Sequence, residues 1–260
     1  MAFRFLVIGD LHGQVPKIGV KNFDAVLAPG DFCSDPMRKY EWISYRKSLK
    51  EGREISWVEI TGVKKAKGLI KKSFADGRRV LKKLNSLGKP VFIVRGNWDH
   101  EYSKLIKGLK NLRDISFESK TFMGYTLIGY PVWGGAISTA PEGPAEFVLA
   151  YSQLKGLFEK AKGHVIFLSH NVPYNTKLDK VLDKRSPAYG KHAGSILVRK
   201  AIEWNKPLVS VGGHIHEHFG KIKIKGAVAL NAGFGSHVNT LIELDGKKIN
   251  SIKFLGKNMR

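Results

Sequence analysis

Five short apolar runs in this chain each stop at a polar residue able to bind a metal, four of them through a glycine turn. Residues 3–8 run into Gly9-Asp10, 24–28 into Pro29-Gly30-Asp31, and 90–94 into Gly96-Asn97. Residues 165–168 run into Ser169-His170, and 208–211 into Gly212-Gly213-His214. Apolar runs of this length with no polar alternation are expected of strands buried on both faces. Helical spacing over 64–87, 101–112, 145–161 and 193–204 separates several of them. Alternating strand and helix predicts an α/β fold with largely parallel strands. The tail differs, because 221–230, 240–245 and 248–254 alternate like antiparallel strands, with Asp245-Gly246 as a hairpin turn. A second hairpin is expected over 121–128, around Gly124. The sheets are therefore mixed, and two of them pack together. With no internal repeat and no low-complexity linker, the expectation is one domain over 1–260, with 38–88 as a basic helical insertion or cap.

Ligands of α/β sheets gather beyond the carboxyl ends of the strands. This sequence places Asp10, His12, Asp31, Asn97, His170, His214 and His216 there. Each alone is ordinary: Asp-x-His is usually a cap or turn, Asn after Gly a turn residue, a single His a hydrogen-bonded structural group. Together they supply enough oxygen and nitrogen for two divalent ions, provided one carboxylate bridges. Imidazole with carboxylate and amide suits Mn, Fe, Zn, Co or Ni rather than Ca, with Mn the first expectation. In extended chain, the i,i+2 pairs Asp10/His12 and His214/His216 project to one side.

The series Gly9-Asp10-Leu11-His12, Gly30-Asp31, Gly96-Asn97-Trp98-Asp99, Ser169-His170-Asn171-Val172-Pro173 and Gly213-His214-Ile215-His216 resembles the five motifs of the calcineurin-like metallophosphoesterases. Asn231-Ala232-Gly233 is similar to the glycine turn that follows them in that family. The resemblance implies a four-layer α/β/β/α sandwich of two mixed sheets, with a dinuclear metal site at strand C-terminal ends. By position, Asp10, His12 and His216 would hold one ion. Asn97, His170 and His214 would hold the other, and Asp31 would bridge. Asp31, Asn97, Asp99 and His170 become the expected catalytic residues. Two ions roughly 3.5–4 Å apart acidify a bridging water, giving a hydroxide for in-line attack on phosphorus.

One position departs from the pattern. After the Asn of the third motif most members carry His, which assists the leaving group; here the residue is Trp98, which has only an N–H donor. Members lacking that His favour phosphodiesters. Trp98 either packs under the site or stacks on a base or aromatic leaving group, and His100 is its companion as a candidate substrate-binding residue. His164, His192, His218 and His237 are weak candidates to replace the missing acid.

The charge narrows the substrate. Lys and Arg number 44 against 22 Asp and Glu, a net charge of +22. Sixteen basic and five acidic residues between 38 and 89 carry half of that excess. Such a field attracts polyanions, although a solvated lysine-rich helix face is the plainer reading. A nucleotide or nucleic-acid phosphodiester substrate is therefore expected. A phosphomonoesterase or protein phosphatase and a catalytically weak interaction scaffold are the alternatives. A lone cysteine, Cys33, excludes a disulfide framework. The uncharged stretch 127–137 is too short to span a bilayer and is broken by Pro131 and three glycines. A cytoplasmic protein with no membrane partner is expected. Alternating lysines over 221–225 mark either a sheet edge blunted by charge or the seam of a homo-oligomer.

Overall fold

The computed structural model describes residues 1–132 and 144–256. Its first half contains β1 (Phe3–Val7), β2 (Ala25–Ala28), α1 (Arg38–Glu51), α2 (Trp57–Thr61), α3 (Val63–Asn85), β3 (Val91–Ile93), α4 (Tyr102–Ile106) and β4 (Leu112–Asp114). Then come β5 (Ser119–Phe122), β6 (Tyr125–Tyr130), α5 (Pro144–Glu159), β7 (His164–Asn171), α6 (Ile196–Asn205) and β8 (Val209–Gly213). The chain finishes with β9 (Gly220–Ile224), β10 (Ala227–Asn231), β11 (Asn239–Asp245) and β12 (Lys248–Leu255).

Two six-stranded mixed sheets result, ordered β12-β11-β1-β2-β3-β4 and β5-β6-β7-β8-β10-β9. The first is parallel from β1 to β4, the second from β6 through β7 and β8 to β10. The two expected hairpins are present as β5/β6 and β11/β12, and the alternating run 221–230 divides at Lys225-Gly226 into a third, β9/β10. Period-two alternation sends side chains of the same strand to opposite faces. Phe5, Val7 and Leu27 meet Leu127, Leu168, Val211 and Leu230 between the sheets. Leu6, Ile8, Val26 and Ile93 face outward onto Val80, Leu81 and Leu84 of α3. On the opposite outer surface, Ile128 and Phe167 pack under α5 and α6. Four layers are thus defined by three packed cores, each large side chain contributing about 1.5–3 kcal/mol on burial.

Several elements differ from the sequence pattern. α4 stops at Ile106, well short of 112, because Gly108 turns the chain at φ +76° and Leu112–Asp114 then joins β3 as an edge strand. α6 starts at Ile196 rather than 193, because Ser195 caps it by accepting the Val198 N–H at 2.9 Å. α1 had no apolar stripe to announce it; its buried residues are Glu41 and Ser44. Residues 133–137, the end of the apolar stretch noted above, lie outside the described residues. β9 is the outermost strand of its sheet and exposes Lys221 and Lys223. Beside it, at the end of the sandwich where β8 begins, lies an 830 Å³ groove lined by Lys206, Lys221, Lys223, Lys225, Lys247 and Lys248 over apolar residues. None of its lining residues is a metal-ligand candidate, and the chemistry lies elsewhere. No helix among the described residues is long and apolar enough to cross a membrane.

Candidate metal centre

The parallel strands β1, β2, β3, β7 and β8 all run their C-terminal ends to one edge of the sandwich. The turns that follow deliver Asp10 and His12, Asp31, Asn97, His170, and His214 with His216. Four of these hold left-handed backbone, with φ of 47° at Asp10, 43° at His12, 56° at Asp31 and 71° at His214. Such conformations cost non-glycine residues roughly 1–3 kcal/mol each and persist where the surroundings impose them. Two glycines make the close approach possible. A Cβ on Gly96 would lie 2.2 Å from Asp31 Oδ1, and one on Gly213 would lie 2.1 Å from Asp10 Oδ2.

All seven side chains converge in one pocket. Asp10, His12 and His216 form one group and Asp31, His170 and His214 another, with ligand atoms in each group within 4.8 Å of one another. Asn97 Oδ1 stands 2.9 Å from His170 Nε2 and 3.1 Å from His214 Nδ1. Asp31 Oδ2 lies between the groups, 3.4 Å from His12 Nε2 and 3.6 Å from His170 Nε2.

The arrangement makes poor sense as a purely hydrogen-bonded core. Asp10 Oδ1 is buried without a hydrogen-bond partner, at a cost of about 1–3 kcal/mol, and both ring nitrogens of His12 face carboxylates at 3.4 Å without hydrogen-bond geometry. His170 donates its Nδ1–H to the Pro29 carbonyl at 2.7 Å, so in the neutral ring Nε2, 2.9 Å from Asn97 Oδ1, is the atom left to ligate. Carboxylate and amide oxygens clustered with imidazole nitrogens in a buried pocket are the complement of cations. The donor set fits a dinuclear divalent site, and the family described below carries one.

Burial drives the electrostatics. It pushes Asp10 up to about 7, with the charge of Asp31 adding to it while His170 and His12 oppose. Burial opposes ionisation of Asp31 too, but the charge of His170, the His12 contact and the Trp98 N–H hold it below the ordinary carboxylate range. Burial lowers His214 to about 3 and takes His216 well down, which leaves both imidazoles neutral, as metal ligands must be. His12 behaves oppositely. Burial disfavours its charge, yet the facing carboxylates of Asp31 and Asp35 raise it to about 9.

Asp99 sits beneath this pocket. Its carboxylate accepts the backbone N–H groups of Asp31 (2.9 Å), Phe32 (2.8 Å), Cys33 (3.1 Å) and Gly96 (2.9 Å), tying two motif turns together. The Trp98 backbone N–H donates to Asp31 Oδ1 at 2.8 Å. The Trp98 indole is 4% exposed, edge-on to His12 and His100, with the Arg38 guanidinium 5.6 Å above its ring. It forms a wall of a 630 Å³ cleft, together with Arg38, Glu41, Trp42 and Phe234, over Asp31, Asn97, His214 and His216. Phe234 stacks on the His216 ring at 4.2 Å. His100 packs behind Trp98 and does not line this cleft. The remaining histidines point elsewhere: His192 Nδ1 to Asp179 at 2.8 Å, His218 to the Lys180 carbonyl, while His164 and His237 are exposed.

Asp35, Arg38 and Glu41 were not singled out from sequence. Asp35 Oδ2 is 3.4 Å from His12 Nδ1 and 2.5 Å from Arg38 Nη2. Their i, i+3, i+6 spacing across the start of α1 was the available signal for a shared helical face.

Comparison with known proteins places the chain in a family. The model of the calcineurin-like phosphoesterase family matches residues 3–218, and the chain belongs to that family. It is a metallophosphoesterase, a hydrolase of phosphoric ester bonds. No curated protein matches the sequence significantly. Among solved structures, TT1561 of Thermus thermophilus is 16% identical with a TM-score of 0.58, covering 98% of this chain and 99% of that one. A dimetal phosphatase from Danio rerio is 10% identical with a TM-score of 0.50, covering 98% of both chains. The NAD nucleotidase of Haemophilus influenzae is 14% identical with a TM-score of 0.51, and covers 97% of this chain but 49% of its own. At these identities the likeness is one of fold.

Proposed function

We propose that this protein is a phosphodiesterase acting on nucleotide or nucleic-acid phosphodiesters, with two manganese ions as its cofactors. The observation that carries this reading is the Trp98 wall. A phosphodiester bears an organic group on each side of phosphorus, and an indole beside the reaction centre matches one of them. The bare oxygens of a monoester find no partner there. Half-buried Trp42 and Phe234 add further aromatic surface to the cleft, of the kind nucleobases stack on. Arg38 and Arg185 supply positive charge at its rim, and the helical segment 38–88 serves as the cap that carries Trp42 and Arg38 over the site.

Asp10, His12 and His216 would hold one cation and Asn97, His170 and His214 the other, with Asp31 reaching both. When bound, the cations would supply Lewis acidity, activating water and neutralising charge on the phosphoryl oxygens. The chain's own part is positional. Asp99 fixes the Asp31 and Gly96 turns through four N–H bonds, and Pro29 fixes the His170 tautomer.

Paired assays on bis-nitrophenyl and mono-nitrophenyl phosphate, then on cyclic nucleotides, single-stranded RNA and single-stranded DNA, test the reading. Diester turnover should exceed monoester turnover and vanish in chelator. Faster monoester hydrolysis would overturn the diester assignment, and bound metal with no turnover on any ester would make the protein a scaffold.

A further inference from the structure

Glu41 is a buried carboxyl in the cleft for which the metal centre has no use. It projects from the first turn of α1 and lines the cleft with Trp98 and His214. The residue is 4% exposed, and no side chain among the described residues makes a hydrogen bond or ion pair with its carboxyl. Arg38, one turn earlier on the same helix, directs Nη2 to Asp35 instead. An unpaired carboxylate is costly to bury, so such a group keeps its proton. Burial pushes Glu41 up to about 7, with Asp35 adding to the effect and Arg38 opposing it. Asp183, Arg185 and Glu217 are the charged groups lining the cleft from the opposite wall. A buried carboxyl that lines the cleft and titrates near 7 is about half protonated at neutral pH and offers an O–H donor to substrate.

We propose that Glu41 is the general acid that protonates the leaving oxygen, the task that the indole of Trp98 cannot perform. This rests on the cleft being the place of phosphoester hydrolysis. Water oxygen forms the new bond to phosphorus and releases one proton to solvent. As the bond from phosphorus to the leaving oxygen breaks, its electron pair passes to that oxygen, which takes the Glu41 proton. Glu41 is left as a carboxylate beside Arg38 and regains a proton from solvent before the next turnover. Atoms and charge balance with water as the only co-reactant.

The test compares wild type with Glu41→Gln and Glu41→Asp on phosphodiesters bearing nitrophenyl and unsubstituted phenyl leaving groups. Nitrophenolate departs without help, whereas phenolate needs a proton. Glu41→Gln should lower kcat about 100-fold or more on the phenyl ester, by only a few-fold on the nitrophenyl ester, and should abolish the alkaline limb near pH 7. Glu41→Asp, which retains an acid, should fall between them with the wild-type leaving-group dependence. Isotope-edited infrared spectra of the metal-loaded protein should show a protonated-carboxyl band titrating near pH 7 in wild type that is lost in Glu41→Gln, leaving any contribution from Asp10 and Asp99 unchanged. Thermal unfolding and manganese content establish that each variant is folded and loaded. Equal losses on both esters, or none, would overturn the assignment while leaving the phosphodiesterase reading intact. A wild-type protein inactive on every ester would overturn both.

Discussion

Asp99 holds Asp31 by its backbone: the Asp99 Oδ2 to Asp31 N–H bond, at 2.9 Å, is one of four main-chain bonds converging on a single buried carboxylate. Asp31 in turn accepts the Trp98 N–H, so the second and third motif turns grip each other reciprocally. Burial, together with the Asp31 charge, presses Asp99 up to about 6, and the four donors keep it ionised above that.

Replacing Asp99 by Asn places an amide where only acceptors are tolerated. At least one backbone N–H loses its partner, a loss of about 2–4 kcal/mol. Differential scanning calorimetry should show a lower Tm, and titration calorimetry should show weaker manganese binding even though Asp99 belongs to neither ligand group.

Asp31→Ala removes a carboxylate that approaches both ligand groups. Metal content by elemental analysis should fall from two ions to one or none, and turnover should drop by about 1,000-fold or more. Retention of two ions would contradict the bridging role.

Gly96→Ala and Gly213→Ala introduce a Cβ within 2.2 Å and 2.1 Å of the Asp31 and Asp10 carboxylates. Those oxygens are fixed by hydrogen bonds and cannot simply move away. Manganese affinity should weaken by about 10- to 100-fold, measurable by competition with a fluorescent chelator, with far smaller effects from Gly68→Ala, where a Cβ meets open space.

Trp98→His restores an imidazole beside Asp99. Turnover of esters with poor leaving groups should rise, and the preference for diesters over monoesters should narrow. An unchanged substrate profile with both metals bound would remove Trp98 as the determinant.

Glu41 also sets a pH dependence of stability. Its folded pKa, about 7, lies above the ordinary value of 4.5, so the folded state binds the extra proton between them. Stability contributed by that proton is present below pH 4.5 and is lost as pH rises through 7. Glu41→Gln should therefore be more stable than wild type at pH 8, by up to roughly 2–3 kcal/mol. Urea unfolding at pH 5 and pH 8 measures the difference.

The ligand-bearing strands were legible because each apolar run breaks at a polar residue, glycine-flanked in four of the five, a pattern that survives translation into strand and turn. β4 was not legible. Leu112-Arg113-Asp114 has no alternation of its own, and only pairing with β3 makes it a strand. The Asp35, Arg38 and Glu41 side of the cleft escaped for a similar reason. A lone Glu on a polar helix resembles any solvated face, and only the folding of α1 across the site buries it. For Asp99 the family resemblance implies an imidazole partner at the position that Trp98 occupies here. Its actual partners are backbone amides, which no side-chain motif encodes.

The left-handed backbone at Asp10, His12, Asp31 and His214 has a consequence for motion. Four residues held in a disfavoured conformation act like compressed springs, and bound cations would be the clasp. Amide hydrogens of residues 9–13 and 212–216 should exchange with solvent conspicuously faster in chelator than in manganese, while the interior of β1 and β8 stays protected in both.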